Sequence, residues 1–510
     1  MLFVPLYVEG IRSHPSVVFW FASLAQAVLW VLVPLLCYAA PPGELPSLLA
    51  VGHQFPLGGQ FAPPLAYWVG EVAFRIAGLF GVYALSQLCV LVTYWCVFAL
   101  GSATIGAAHG ALAVLLMTGI SAFTVPTPDF GPAVLTMALW AVVLLHYWRA
   151  VAQKRPRSWY VLGCAAALIL LASNAAIILL GLLALFTAVT KPGAAALRAT
   201  EPRIVATALV GVLFAHLFWL QGLGDGLGPT LARLRGASAA GENTVAWLRL
   251  VAAIVLAHAG LAVLVVLASG WPRSRAQPAP AIARLPADLF AFTFVKVFAL
   301  VPALLATIVA VLVGDREPIG GAPPLLVLSG LAVVAAAGDN IALHHQRILG
   351  FAWAGLLLVP ALFVPIALIA LPWTTGADLR VAQPAAAMGH FFAETFERRT
   401  GHPLAIVGGD ERTAALVALA APSRPRIYID ANPARSPWIN ADDIRKQGAV
   451  VVWPTADTSP TPPPEIKAHF PDLIPEVPHL FERPIQGRLP PLRIGWGVIR
   501  PANAPAPPGQ

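Results

Sequence analysis

Long apolar segments recur along the first 373 residues of this chain, broken by short polar turns. In hydrocarbon every backbone N–H and C=O must be satisfied within the segment, and about 20 apolar residues are needed to cross a core of about 30 Å. On that criterion crossings fall near 17–40, 81–101, 106–123, 131–149, 158–173, 174–191, 204–221, 248–269, 289–313, 323–338 and 347–372. The pair between Trp159 and Thr190 comes from one apolar run of about 32 residues, so each half is short. Hydrophobic residues make up 58% of the chain and charged residues 11%, against roughly 25% charged in a soluble domain, which fixes the class as an integral membrane protein.

Charge then orients the crossings. Arg149, Lys154, Arg155 and Arg157 precede the apolar run, and Lys191, Arg198 and Arg203 follow it. Both flanks face the cytoplasm under the positive-inside rule, so an even number of passes lies between them. Arg273, Arg275 and Arg284, and later His344, His345 and Arg347, take the same side. The loops at 41–80, 124–130, 222–247 and 314–322 then face outward. Eleven crossings put the N-terminus inside and the C-terminal segment outside. The +8 net charge is accounted for by this topology, not by nucleic-acid binding. Cys37, Cys89, Cys96 and Cys164 all lie in apolar segments, which argues against disulfides and a zinc site. No metal or cofactor is expected.

The outer loops hold the unusual residues. Pro41 to Trp68, PPGELPSLLAVGHQFPLGGQFAPPLAYW, is polar, rich in Pro and Gly, and carries one acid, Glu44. From Leu65 to Phe80 follows an amphipathic stretch that reads as a helix lying along the membrane surface, with Glu71 and Arg75 spaced i,i+4 as a surface pair. The second outer loop, Thr124 to Phe130, places Asp129 between prolines and the next helix, where it has a structural role open to it as helix N-cap. A third turn falls at Ser173-Asn174. Three polar points converging on one face are how a site between helices is assembled.

The succession GELPSLLAVGHQFPLGGQFAPPLAYW, then TPDFGPAVLTMALW, then a basic turn and LLASNAAIILL, resembles bacterial membrane glycosyltransferases of the C-type fold. These are the dolichyl-phosphate-mannose mannosyltransferase and aminoarabinose-transferase relatives of glycosyltransferase family 39. The resemblance implies an α-helical polytopic domain over 1–373. It also implies transfer of a sugar from a polyprenyl-phosphate donor to a lipid, cell-envelope glycan or protein acceptor on the outer side. The first-loop acid acts there as catalytic base or positions substrate. Glu44 stands at that acid, which is normally Asp, and Asp129 at the second-loop acid. Ser47 falls where a second acid often follows. Ala62 replaces the His before Pro63-Pro64-Leu65, Trp68 matches the aromatic after it, and Asn174 stands where Lys is common.

Chemistry gives these positions roles. Displacing a phosphate-linked sugar needs a base within hydrogen-bond reach of the attacking hydroxyl and a cation for the departing phosphate. Glu44 and Asp129 are the catalytic candidates. Ser47, His53, Gln60, Pro63, Pro64 and Trp68 are the first-loop candidates for substrate contact, with Asn174 from the third turn. Arg233, Arg235 and Arg316 are the outer cations for the phosphate. Each has a plainer reading beside it: Glu44 and His53 as solvated loop residues, Asn174 as a turn residue. The second functional class is a catalytically altered relative or a transporter that binds lipid-linked sugars without transferring them. A transporter more often shows internal repeats and mid-membrane ionisable residues.

Residues 374–500 read as a small periplasmic α/β domain, and 501–510 as a Pro-rich disordered tail. A helix covers Ala377–Thr400, and strands cover Pro403–Val407, Arg426–Asp430 and Ala449–Trp453. Their alternation with helices favours a parallel sheet. Asp410 and Asp430 end two of the strands, where ligands bind in α/β sheets, but a turn role is as open to them.

Overall fold

The computed structural model describes residues 3–57, 61, 63–222, 240–269, 280–284, 286, 288–313, 322–430 and 432–502. It divides into two compact units, Met1–Leu32 with Tyr83–Leu362, and Val33–Val82 with Phe363–Gln510.

The first unit is helical. Among the described residues of the whole chain, six helices are long and apolar enough to cross a membrane: Pro15–Cys37, Leu65–Thr104, Pro132–Val151, Thr200–Phe218, Leu289–Val309 and Gln346–Thr374. The pair Trp247–Ala257 and Ala259–Ser269, bent by 43°, makes up to a seventh. The apolar helices Ala107–Met117, Pro156–Ala172, Ala176–Val189 and Pro323–Ala336 are 10–17 residues long and fall short of the criterion. The long apolar run does divide, at a turn where the Ala175 N–H donates to Ser173 Oγ.

Two interior features hold the first unit. Phe290, Phe294 and Phe298 recur at helical spacing on Leu289–Val313 and pack on Phe186, Tyr147 and Trp148. Buried amides supply the second. Gln26 donates to Tyr94 Oη at 3.0 Å and to the Phe123 carbonyl at 2.6 Å, and Gln87 donates to Thr127 Oγ1 at 2.9 Å. Without water a buried amide has to find such partners, so these pin the 121–130 turn to two apolar helices. Lys296, which the sequence reading passed over, is exposed on Leu289–Val313 with its ammonium 4.2 Å from the centre of the Phe292 ring.

The second unit is built on a five-stranded sheet. Two short strands of the first unit, β1 (Ala281–Ala283) and β2 (Asn340–Ala342), precede it in the chain and pair with each other. The sheet strands are β3 (Ile406–Gly409), β4 (Arg426–Ile429), β5 (Ala449–Pro454), β6 (Ile474–Phe481) and β7 (Leu492–Ile499), in the order β4-β3-β5-β7-β6. β3 runs parallel to β4 and β5, while β7 is antiparallel to β5 and β6. The expected parallel sheet is therefore corrected to a mixed one. Its two extra strands were unread because β6 contains Pro475 and Pro478, which strands accept at an edge, and β7 contains Gly495 and Gly497.

Alternation along the strands makes two cores. Val407, Ile427, Ile429, Val450 and Val452 face helices Ala385–Thr400 and Glu411–Ala420 with Phe392 and Phe396. Ile406, Tyr428, Val451 and Trp453 face the other side with Phe470. The first core also takes in Ala50, Val51 and Phe61, so the first polar loop is packed into the same hydrophobic interior as the sheet.

His479 on β6 stacks on Phe391 with ring centres 3.8 Å apart, and burial holds its imidazole below the ordinary histidine range. The fold thus favours neutral His479, and its stabilisation is complete above the unfolded value of about 6.5 and lost as pH falls through the folded value. Thermal unfolding of the purified protein should show a midpoint that drops as pH is lowered from 7 to 5. His479→Phe should make that drop shallower, and an unchanged profile would remove His479 as its source.

Candidate active site

The first loop is a short helix on a fixed turn. Pro41-Pro42-Gly43 leads in, with Gly43 at φ +49, a backbone region that favours glycine. Helix Leu45–Gly52 starts with Pro46 in its first turn, and every one of its residues is buried. Glu44 occupies its N-cap but makes no side-chain cap bond. The Glu44 side chain is 77% exposed, and its Oε1 lies 3.5 Å from Nη1 of Arg380, itself 63% exposed. Glu44 thus begins a buried helix with its carboxylate exposed beside a cation.

The other first-loop candidates fall around this helix. Ser47 is buried in it. At its end Gly52 lies against the next helix, where an added Cβ would sit 2.6 Å from the Tyr67 carbonyl and 3.3 Å from Glu71 Cβ. Pro63 and Pro64 lead into helix Leu65–Thr104, and Trp68 Nε1–H donates to the Pro56 carbonyl at 2.9 Å. That helix breaks at Ala77-Gly78, where Gly78 has φ +59, so the helical arm from Leu65 ends short of Phe80. Gln60, Arg233, Arg235 and Arg316 lie outside the described residues.

Glu71 is not the surface residue that its i,i+4 spacing suggested. It is 1% exposed and its carboxylate is shared by His53 and two guanidinium groups. Oε1 meets His53 Nδ1 at 3.0 Å and accepts from Arg75 Nε at 2.9 Å, and Oε2 accepts from Arg424 Nη2 at 2.8 Å. Arg424 sits at φ +48, with its guanidinium 4.4 Å from the centre of the Phe74 ring. Burial pushes the Arg424 guanidinium below its ordinary value, and the charge and hydrogen bond of Glu71 work against that. A non-glycine residue held there by a buried ion pair marks a place the fold over-determines.

Asp129 and Asn174 belong to the first unit. Asp129 is half-buried in the turn before helix Pro132–Val151, whose N-cap is Gly131, so the N-cap role expected of Asp129 is corrected: the helix starts three residues later, at a proline. Asn174 is exposed in its turn, with its carbonyl accepting from the Ile177 N–H. In the sheet, Asp410 caps helix Glu411–Ala420 through the Thr413 N–H and hydroxyl, at 3.0 and 2.6 Å, and Asp430 pairs with Arg435. Both make the local turn contacts that a structural role calls for.

Sequence reasoning missed Arg380, Arg412 and Arg424. No local pattern points to them, because their partners Glu44, Gly43 and Glu71 lie hundreds of residues earlier.

The family model described as dolichyl-phosphate-mannose-protein mannosyltransferase matches residues 62–219. No curated protein matches the chain in sequence. Among solved structures the chain is similar to ArnT from Cupriavidus metallidurans bound to undecaprenyl phosphate. The identity is 13% and the TM-score 0.59, over 96% of this chain and 99% of that one. The apo state of the same enzyme gives 14% identity and a TM-score of 0.55 over the same shares. The resemblance to C-type membrane glycosyltransferases read from the loop motifs is borne out, and the chain has the ArnT fold.

Breaking a buried ion pair from one side strands the other charge and costs about 3–5 kcal/mol. Glu71→Gln or Arg424→Met should each lower the unfolding free energy, read from denaturant melts, by that order. The double variant should lose less than the sum of the two, since it leaves neither of these charges without the other. Additive losses would mean that the two side chains do not act as a pair.

Proposed function

We propose that this protein is an integral-membrane glycosyltransferase that passes a sugar from a polyprenyl-phosphate donor to a lipid, cell-envelope glycan or protein acceptor on the periplasmic side. The observation that carries the proposal is the exposed Glu44 carboxylate on its buried helix, 3.5 Å from Arg380. An exposed pair of this kind contributes little to stability, so a role in chemistry rather than in folding is the reading it favours. The fold shared with ArnT, which was crystallised bound to undecaprenyl phosphate, supports a donor of that class.

In this reading the acceptor hydroxyl oxygen attacks the anomeric carbon and its proton passes to Glu44. The bond from the anomeric carbon to the phosphate oxygen breaks, and the electron pair leaves with the polyprenyl phosphate. Arg380 neutralises the charge that develops on that phosphate, the task the sequence assigned to Arg233, Arg235 and Arg316. Ser47, buried in the helix that Glu44 caps, serves as support for that helix, and Asp129 is proposed as a candidate acid of the first unit.

The test uses purified full-length protein in nanodiscs with radiolabelled undecaprenyl-phosphate sugars and a membrane lipid extract. Wild type should transfer label, and Glu44→Gln should slow transfer by about 10²–10⁴-fold, the usual contribution of a general base. Equal transfer by Glu44→Gln removes Glu44 as the base. Absence of transfer from every donor favours the binding-only or transporter reading.

A further inference from the structure

One guanidinium joins the two halves of the proposed acid–cation pair. Arg412 is the second residue of helix Glu411–Ala420, in the turn after β3. Its Nη1 donates to the carbonyl of Gly43, the residue immediately before Glu44. Nη2 donates to the carbonyl of Arg380 at 3.3 Å, and Nε to Gln383 Oε1 at 3.4 Å. The same side chain therefore fixes the backbone that carries the acid and the backbone that carries its cation. We infer that Arg412 is a positioning residue for Glu44, so that the C-terminal α/β layer is a working part of the catalytic apparatus. This inference rests on the proposed function for its chemical meaning.

Three further observations favour it. The turn Arg380–Ala382 is held from the other side as well, since the Ala39 and Ala40 N–H groups both donate to the Val381 carbonyl, at 2.9 and 3.0 Å. Helix Glu411–Ala420, which presents Arg412, buries Leu416 against Ala40 and Ala385. Asp410 locks the start of that helix through Thr413, so the base of the Arg412 side chain is fixed. The fork geometry matters: a guanidinium offers planar donors in several directions at once, whereas an ammonium is a point charge on a flexible stem. The side chains of Glu44 and Arg380 stay exposed while their backbones are held, which is pre-organisation with the reactive groups left accessible.

The experiment measures transfer kinetics of Arg412→Gln, Arg412→Lys, Glu44→Gln and the double variant Glu44→Gln/Arg412→Gln on the undecaprenyl-phosphate sugar that wild type uses. Arg412→Gln should lower kcat on the order of 10–100-fold with donor KM little changed, as a misplaced base does. Arg412→Lys, which keeps the charge and one carbonyl bond, should recover part of the rate. The double variant should be no slower than Glu44→Gln alone, because Arg412 acts through Glu44. A purely structural role would give multiplying losses in the double variant, and that result overturns the inference. A second measurement does not need activity. Amide hydrogen exchange at Leu45 and Leu48, whose N–H groups bond to the carbonyls of Pro42 and Glu44, should quicken on the order of 10-fold in Arg412→Gln, while exchange within Ala414–Ala418 is unchanged. Unaltered exchange at Leu45 and Leu48 also overturns it. Lack of transfer by wild type with every donor would defeat the proposed function alone, and the exchange result would still decide whether Arg412 sets Glu44.

Discussion

A carboxylate taken out of water costs several kcal/mol unless charge and hydrogen bonds replace its hydration. Glu71 meets that demand through His53, Arg75 and Arg424, and the consequences spread through the second unit. His53 ends the helix that starts beside Glu44, so the first loop is tied down at its far end. Arg424 follows helix Glu411–Ala420, whose first turn holds Arg412, so the same chain segment reaches both ends of the loop. Arg75, two residues before the break at Ala77-Gly78, adds a bond to Glu71 from within the same helix. The apolar contacts of Val51 and Phe61 in the sheet core would hold the loop in place without setting its register; directional bonds to a buried acid set it.

The sequence carried the parts of this fold that depend on local periodicity. Apolar runs near 20 residues give the long helices, the i,i+4 pair at Glu71 and Arg75 gives the arm, and the split of the 159–190 run falls at its one polar turn, Ser173-Asn174. What it did not carry depends on partners distant in the chain. The buried state of Glu71 follows from Arg424, 353 residues later, and the cation beside Glu44 comes from a 3-10 turn with no motif of its own. β6 and β7 were hidden because their prolines and glycines read as loop, and only their places in the sheet make those residues acceptable: an edge for Pro475 and Pro478, and a close approach to the Trp453 ring for Gly495. The reading of Asp129 as an N-cap failed for a smaller reason, a start at Pro132 preferred over one at the acid.

The pinned loop changes what the substitution of Glu for Asp means. One extra methylene moves a carboxylate by about 1.5 Å, the length of a C–C bond. On a mobile loop the backbone would absorb most of that difference, and the two acids would be nearly equivalent. Here the helix under Glu44 is buried along its whole length, and the carbonyl before it is held by Arg412. The difference must then appear almost entirely at the carboxylate, and for any general base a shift of about 1 Å is enough to alter a rate by about 10²-fold. Arg380, fixed through its own carbonyl by the same guanidinium, meets the carboxylate at the reach a glutamate provides. Acid length and cation position are thereby matched through the backbone bonds of one residue, Arg412.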